Sequence, residues 1–90
     1  SSANQPQELR NSPVYAGTGS GHWIQNVLDN GAIIILEDNS KWQISPIDTV
    51  NTGIWLPVTN ITVIENNGEF PYRLINADDS ETAEAKFLGF

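Results

Sequence analysis

The chain has one histidine, His22, and any acid–base chemistry would have to be assigned to it first. A serine hydrolase needs a hydroxyl nucleophile, a base beside it and an acid that orients the base. Ser20 lies just before His22, and Asp29 is the nearest acid along the chain. A lone histidine beside a strand more often packs or stays at the surface. We therefore expect no enzyme, with a small hydrolase around His22 as the alternative.

Ligands for metals and cofactors are few. A zinc site needs three or four His, Cys or acidic ligands, and the chain offers one histidine and no cysteine. Carboxylates are grouped at residues 37–38 and 78–84, and the second group could serve a calcium-assisted glycan site. That group lacks the alternating acids and the glycine of a calcium loop. We therefore expect solvated turns, no metal and no cofactor.

Exposed aromatic rings are better candidates for binding a ligand. In so small a domain most aromatic side chains must form the core, and we expect Trp42 to be buried. Trp23 follows a glycine-rich stretch and Trp55 precedes a Leu-Pro step, so either ring could be exposed and stack on a sugar or a peptide. The candidate ligand-binding residues are Trp23, Trp55, His22 and Tyr72.

The net charge is −7, from eleven acids against four scattered Lys and Arg residues. Binding to nucleic acid or to an anionic membrane relies on clustered Lys and Arg, so neither is expected. No apolar run approaches the roughly 20 residues of a membrane span, which argues against membrane insertion. A protein or glycan partner stays open, an acidic inhibitor or nucleic-acid mimic is a further alternative, and the oligomeric state is not indicated.

The elements that must position these residues are strands. Strand-like runs alternate with turn signals at the spacing of all-β barrels and sandwiches. We therefore predict an all-β fold: a small antiparallel meander curled into a barrel, SH3-like or related, with one short helical turn at residues 46–50. The predicted strands are residues 22–28, 32–37, 40–45, 58–64, 70–75 and 82–88.

The beginning of the chain is polar and lacks periodicity. We expect residues 1–13 to be a disordered lead-in, and residues 14–90 to form a single barrel domain. Within that domain, residues 14–16 could add a short strand, and the glycines of residues 17–21 should make a flexible connector.

The hairpin around residues 37–39 allows the strand register to be predicted. A three-residue loop with Asn39 in the left-handed region pairs Ile34 with Trp42 and places both on one face. A two-residue loop would instead place Ile33 beside Trp42, because a slip of one residue exchanges the two faces of a strand. In either register the isoleucine run leaves apolar side chains on both faces.

Residues 36–48 read LEDNSKWQISPID. This stretch is similar to a pattern, L-E-D-G-S-x-W-x-I-x-P-x-D, of small bacterial β-barrel proteins whose function is not established. Residues 55–57 and 74–76 match later parts of that pattern. Asn39 stands where the pattern has glycine, and asparagine also tolerates the left-handed region. The resemblance implies a small barrel, consistent with an exported protein, and transfers no activity and no binding residue.

Together these features predict a non-enzymatic binding or structural module of a bacterial protein. The chain is rich in Asn and poor in Lys, which indicates a periplasmic or secreted location. The absence of a recognisable nucleophile–base pair, metal set or phosphate loop in the sequence favours binding over catalysis.

Overall fold

The computed structural model describes residues 14–90, which form a closed barrel of six antiparallel strands. The predicted all-β barrel with one short helical turn is confirmed. The expected lead-in of residues 1–13 lies outside the described residues. The strands are β1 (Gly19–Leu28), β2 (Ile33–Leu36), β3 (Lys41–Ile44), β4 (Asn60–Glu65), β5 (Tyr72–Asn76) and β6 (Glu81–Gly89), with one short helix, α1 (Thr49–Thr52), and helical turns at Asp29–Gly31 and Pro46–Asp48.

The strand order around the barrel is β1-β2-β3-β6-β5-β4, and β4 pairs with β1 to close the ring. The barrel therefore consists of two three-stranded meanders. Residues 45–59, which we name the connection, join β3 to β4. Because these two strands lie on opposite sides of the ring, the connection crosses one end of the barrel. The turn after β1 and the turn between β5 and β6 lie at the same end.

The β2–β3 hairpin has the register expected of a three-residue loop. Ile34 pairs with Trp42, and the loop places Asn39 at φ 68°, in the left-handed region. The Leu36 amide donates to the Ser40 carbonyl over 3.0 Å, which closes the loop. Ile34 and Leu36 consequently point inward with Trp42, and Ile33 and Ile35 lie half-buried on the outer face.

Trp42 lies at the centre of the core and is fully buried, as expected. Its ring centroid is 4.9 Å from that of Tyr15, 5.3 Å from Tyr72 and 5.1 Å from Phe87. Aliphatic side chains from all six strands fill the remaining space. The buried apolar residues are Tyr15, Ile24, Ile34, Leu36, Trp42, Ile44, Trp55, Ile61, Val63, Tyr72, Leu74, Ala83, Ala85 and Phe87.

The segment before β1 differs from the expectation in two ways. Residues 14–16 form no strand, yet Tyr15 is buried. The expected flexible connector of residues 17–21 is partly strand, because β1 begins at Gly19 and pairs with β4, with a shift of register between Gly19 and His22. Residues 14–18, which we name the strap, cover the end of the barrel opposite the connection.

No helix within residues 14–90 is long and apolar enough to cross a membrane.

A test of this packing is the substitution Trp42→Ala, compared with Trp23→Ala on the outer face of β1. Removing the fully buried ring should lower the free energy of unfolding by about 3–5 kcal/mol, because it leaves a cavity. The exposed Trp23 ring should contribute less than about 1 kcal/mol. Urea unfolding followed by far-UV circular dichroism measures both. Equal losses for the two variants would contradict the described core.

Candidate functional site

His22 lies at the strap end of the barrel, where both of its ring nitrogens meet hydrogen-bond acceptors. Nδ1 is 2.8 Å from a carboxylate oxygen of Glu37, and Nε2 is 2.6 Å from the Gly17 carbonyl oxygen. The Gly17 carbonyl can only accept, so Nε2 donates to it, and a second hydrogen on Nδ1 would make the imidazole a cation that donates to Glu37 as well. Burial alone would lower the pKa of His22, but these hydrogen bonds and the charges of Glu37 and Asp38 outweigh it and raise the pKa.

Asp38 connects this cluster to the core. One carboxylate oxygen accepts from the Tyr15 hydroxyl over 2.5 Å, and the other accepts from the Ser40 amide and hydroxyl over 3.0 and 2.5 Å. Burial would raise the pKa of Asp38, but the hydrogen bonds from Ser40 and Tyr15 outweigh it and lower the pKa. The Ser40 hydroxyl in turn accepts from the indole N–H of Trp42 over 2.9 Å. We name His22, Glu37, Asp38 and Tyr15 the polar cluster.

Tyr15 holds the strap on the barrel. Its backbone N–H donates to the Tyr72 hydroxyl over 2.9 Å, and its ring lies against Trp42 and Phe87. Burial and the hydrogen bond to Asp38 both raise the pKa of the Tyr15 hydroxyl, so this group stays protonated and donates. Sequence analysis missed Tyr15 as a core residue, and its only signal was an aromatic ring between two apolar neighbours in an otherwise polar segment.

The polar cluster does not reproduce the hydrolase arrangement considered from the sequence. Asp29 lies beyond the far end of β1, and the acid that contacts His22 is Glu37. The hydroxyl nearest to Nε2 of His22 is that of Tyr15, at 3.3 Å. His22, Glu37 and Asp38 each offer a ligand atom within 4.8 Å of the others, but a metal would first have to break the hydrogen bonds described above. This geometry suits proton-dependent fastening of the strap.

The other predicted ligand-binding residues are placed differently. Trp55, which could have presented an exposed ring, is instead buried: the residue is 4% exposed, and its N–H donates to Glu81 over 2.8 Å. The connection needs an anchor on the barrel end, and Trp55 provides it. Tyr72 is also buried, with its hydroxyl engaged by Tyr15. Trp23 is 46% exposed on the outer face of β1, so ligand binding by Trp23 stays a prediction.

The acids of residues 78–84 make separate structural contacts. Asp78 accepts hydrogen bonds from the backbone and side chain of Asn60 over 3.3 and 3.2 Å, and Glu81 accepts from Trp55. Glu84 bonds to side chains of β5 and the loop before it. Asp78 and Glu81 therefore fasten the turn between β5 and β6 to its neighbours, whereas Glu84 links β6 to β5 and to the loop between β4 and β5.

The connection carries the largest group of exposed apolar side chains. Five of the eleven large apolar side chains that are exposed within residues 14–90 fall in residues 47–58, and each is between 68% and 79% exposed. Grouped exposure of apolar side chains is a feature that interaction sites of folded domains share. These residues, which we name the apolar surface, are Ile47, Val50, Ile54, Leu56 and Val58.

This exposure does not result from a loosely attached segment. The Thr52 hydroxyl is buried and donates to the Gly31 carbonyl over 2.7 Å, and a carboxylate oxygen of Asp48 accepts from the Glu84 amide over 3.0 Å. Near β4, the Val58 amide donates to the Ile24 carbonyl over 2.8 Å. The connection is therefore fixed along its length while it displays aliphatic side chains to solvent.

Val58 is strained as well as exposed. Its φ is 62°, and its side chain is 76% exposed. A β-branched residue rarely adopts this left-handed conformation, and such an outlier costs on the order of 1–3 kcal/mol. Glycine or asparagine would adopt it at lower cost. Strain of this kind often accompanies functional positions.

Comparison with known proteins gave no match among family models, curated proteins or solved structures. The resemblance of residues 36–48 to the bacterial pattern stays a prediction.

The polar cluster predicts a pH dependence of strap attachment. Because the pKa of His22 is raised in the folded protein, protonated His22 stabilises the strap at pH values below its ordinary pKa of about 6.5. This stabilisation is lost as the pH rises through the pKa that His22 has in the folded protein. Because the pKa of Asp38 is lowered in the folded protein, ionised Asp38 stabilises the strap at pH values above the ordinary aspartate pKa of about 3.9. This stabilisation is lost as the pH falls through the lowered pKa. Protection of the Tyr15 amide, which donates to Tyr72, from hydrogen exchange, corrected for the intrinsic rate, should be greatest between these values.

The variant His22→Gln tests the origin of this dependence. It should lose the decline in protection on the alkaline side, because glutamine does not titrate there. Lys41→Gln removes an exposed cation from β3 and should keep the parent profile. An unchanged alkaline decline in His22→Gln would show that another group fastens the strap.

The anchoring of the connection predicts different effects for two glycine substitutions. Gly31 has φ 97°, and a Cβ there would meet the Gly53 backbone and lie 2.6 Å from the Thr52 hydroxyl. Gly68 has φ 124° with nothing within 4 Å of a Cβ, so Gly68→Ala is a control for backbone strain alone. Gly31→Ala should cost about 1–3 kcal/mol more than Gly68→Ala, because of overpacking. Urea unfolding measures the free energy of unfolding of both variants, and equal losses would contradict the close packing at Gly31.

Proposed function

We propose that this chain is a non-enzymatic binding module that engages a protein partner through its outer surface. The barrel interior is filled by Trp42 and its neighbours, the strap covers one end, and the connection covers the other. Within residues 14–90 there is no cavity of ligand size. A ligand held inside the barrel, as in larger ligand-carrying barrels, is therefore disfavoured relative to contact at the surface.

The observation that carries the proposal is the apolar surface on a firmly held connection. Its exposed side chains are aliphatic, and aliphatic groups are suited to burial against a protein surface. A glycan partner would be favoured by exposed flat rings, and Trp23 is the one tryptophan that the described residues leave exposed. Protein binding is accordingly the better supported of the two partner classes.

Two further features favour binding over the alternatives. Both ring nitrogens of His22 are engaged, so no free nitrogen is positioned to act as a base toward a substrate. An acidic mimic of nucleic acid would favour carboxylates aligned on one face, whereas Asp38, Asp78 and Glu81 lie at turns or strand ends and make internal hydrogen bonds. The Asn-rich composition and the pattern at residues 36–48 support an exported bacterial protein as the setting.

A comparison of two double variants tests the proposal. Leu56→Ser with Val58→Asn removes apolar groups from the connection, and Ile64→Ser with Leu88→Asn removes the same number of exposed apolar residues from β4 and β6. Each protein is immobilised and exposed to extract of the source organism, and the retained proteins are identified by mass spectrometry. We expect a specific protein to be retained by the parent and by the β4–β6 variant and lost from the connection variant.

Two outcomes would contradict the proposal. Retention that is equal for the two double variants would place binding elsewhere on the molecule. Turnover of a broad ester, amide or glycoside panel that disappears in His22→Gln would instead identify an enzyme centred on the polar cluster.

A further inference from the structure

The charges around the apolar surface are acidic. Asp48 is the only charged residue within the connection. The side chain that anchors Trp55 is Glu81, and Asp78 is bonded to Asn60, where the connection enters β4. The turn that follows β1 packs on α1 and adds Asp29.

The cations among the described residues lie elsewhere on the barrel. Lys41 belongs to the β3 segment that pairs with Ile35 and with the end of β6. Arg73 bonds to side chains on β6 and on the loop before β5, and Lys86 lies 5.3 Å from the ring centroid of Phe70. An occupant of the apolar surface would therefore meet carboxylates at its rim, and complementary charge would be positive.

A second copy of the chain fits this surface poorly. In a two-fold dimer the same patch faces itself, so the acidic rims would be brought together. Each chain also carries a net charge of −7, which adds repulsion between the two molecules. The charge distribution thus favours a different, basic partner over self-association.

Trp23 extends the apolar surface along β1. It pairs with Asn60, the first residue of β4, and its ring is exposed on the outside of the barrel. Tryptophan is enriched among residues that dominate binding energy at protein interfaces. Its ring face also attracts Arg and Lys, which suits the same basic partner.

Val58 supports a role for this surface in the folded protein. Its side chain is exposed at a strained left-handed φ, where asparagine would fold with less strain. The side chain therefore stabilises neither the local backbone nor the core. A contact between the Val58 side chain and a partner would explain why valine occupies this strained, exposed position.

We propose that the apolar surface and Trp23 dock a segment of another protein that presents large apolar side chains flanked by Arg or Lys. This inference rests on the proposed function and specifies the chemistry of the partner. Apolar burial supplies affinity, and the acidic rim selects for positive charge and against negative charge on the segment.

Three synthetic peptides of equal length test the partner chemistry against the full isotope-labelled chain. The first alternates leucine with arginine, the second alternates leucine with glutamate, and the third alternates serine with arginine. Nuclear magnetic resonance titration should show that the first peptide shifts the amides of Trp23 and residues 47–58, with affinity at least roughly tenfold above the other two. Equal binding of the leucine–glutamate peptide would overturn the charge argument, and equal binding of the serine–arginine peptide would overturn the apolar one.

The two double variants locate the contact. Leu56→Ser with Val58→Asn should weaken the first peptide at least roughly tenfold, whereas Ile64→Ser with Leu88→Asn should leave its affinity within about twofold of the parent. Val58→Asn alone should raise the melting temperature while weakening the peptide, because it relieves the backbone strain and removes the contact. A stabilised variant that binds as the parent does would exclude Val58 from the contact and overturn the proposed surface.

Lipid is the remaining occupant to test. The chain should not sediment with neutral phosphatidylcholine vesicles. If it does, and the connection double variant does not, the proposal of a protein partner is overturned. Failure of the peptides, combined with retention of a source protein through the connection, would contradict this inference and leave the proposed function standing. Peptide binding without any retained source protein would support the partner chemistry and contradict the proposed function.

Discussion

The burial of Trp42 is the constraint on which the rest of the structure depends. Barrel diameter grows with strand number, so the interior of this six-stranded barrel is narrow and is filled by side chains. The largest of them, Trp42, needs cover at the barrel end as well as at the wall. Its indole N–H also needs a partner, since an unpaired buried donor is costly. Ser40 accepts that bond, Asp38 accepts from Ser40, and Tyr15 donates to Asp38 while its ring covers Trp42. One buried ring thus explains the polar cluster and the strap.

The strap and the connection cover the two ends of the barrel, and different contacts hold each of them in place. The strap end uses titratable groups: His22 contacts Gly17 and Glu37, and Asp38 accepts from Tyr15, so we expect attachment of the strap to depend on pH. The connection end uses Trp55, which donates to Glu81, Thr52, which donates to the Gly31 carbonyl, and close backbone packing at Gly31. Because a few inward-pointing anchors suffice, the connection's other apolar side chains are free to face solvent. We therefore propose that binding takes place at this end.

Features set by neighbouring residues could be predicted from the sequence, and features set by distant contacts could not. The pairing of Ile34 with Trp42 follows from a loop of three residues, and the structure confirms it. Tyr15 was missed because its hydrogen-bond partner Tyr72 is 57 residues away. Exposure of Trp55 was left open because a pattern of residue types does not show which side of a connection meets the barrel. The polar cluster likewise depends on β1 pairing with β2, which brings His22 to Glu37.

The central claim is that the connection is the surface through which this protein contacts its partner. Photo-crosslinking in the source organism tests it most directly, with benzoylphenylalanine placed at Leu56 in one protein and at Ile64, on β4, in the other. The account predicts one crosslinked protein from the Leu56 position and none above background from the Ile64 position, with the crosslink mapping to an apolar segment flanked by Arg or Lys. A crosslink of equal yield from both positions, or a crosslink from Leu56 to a second copy of this chain, would contradict it.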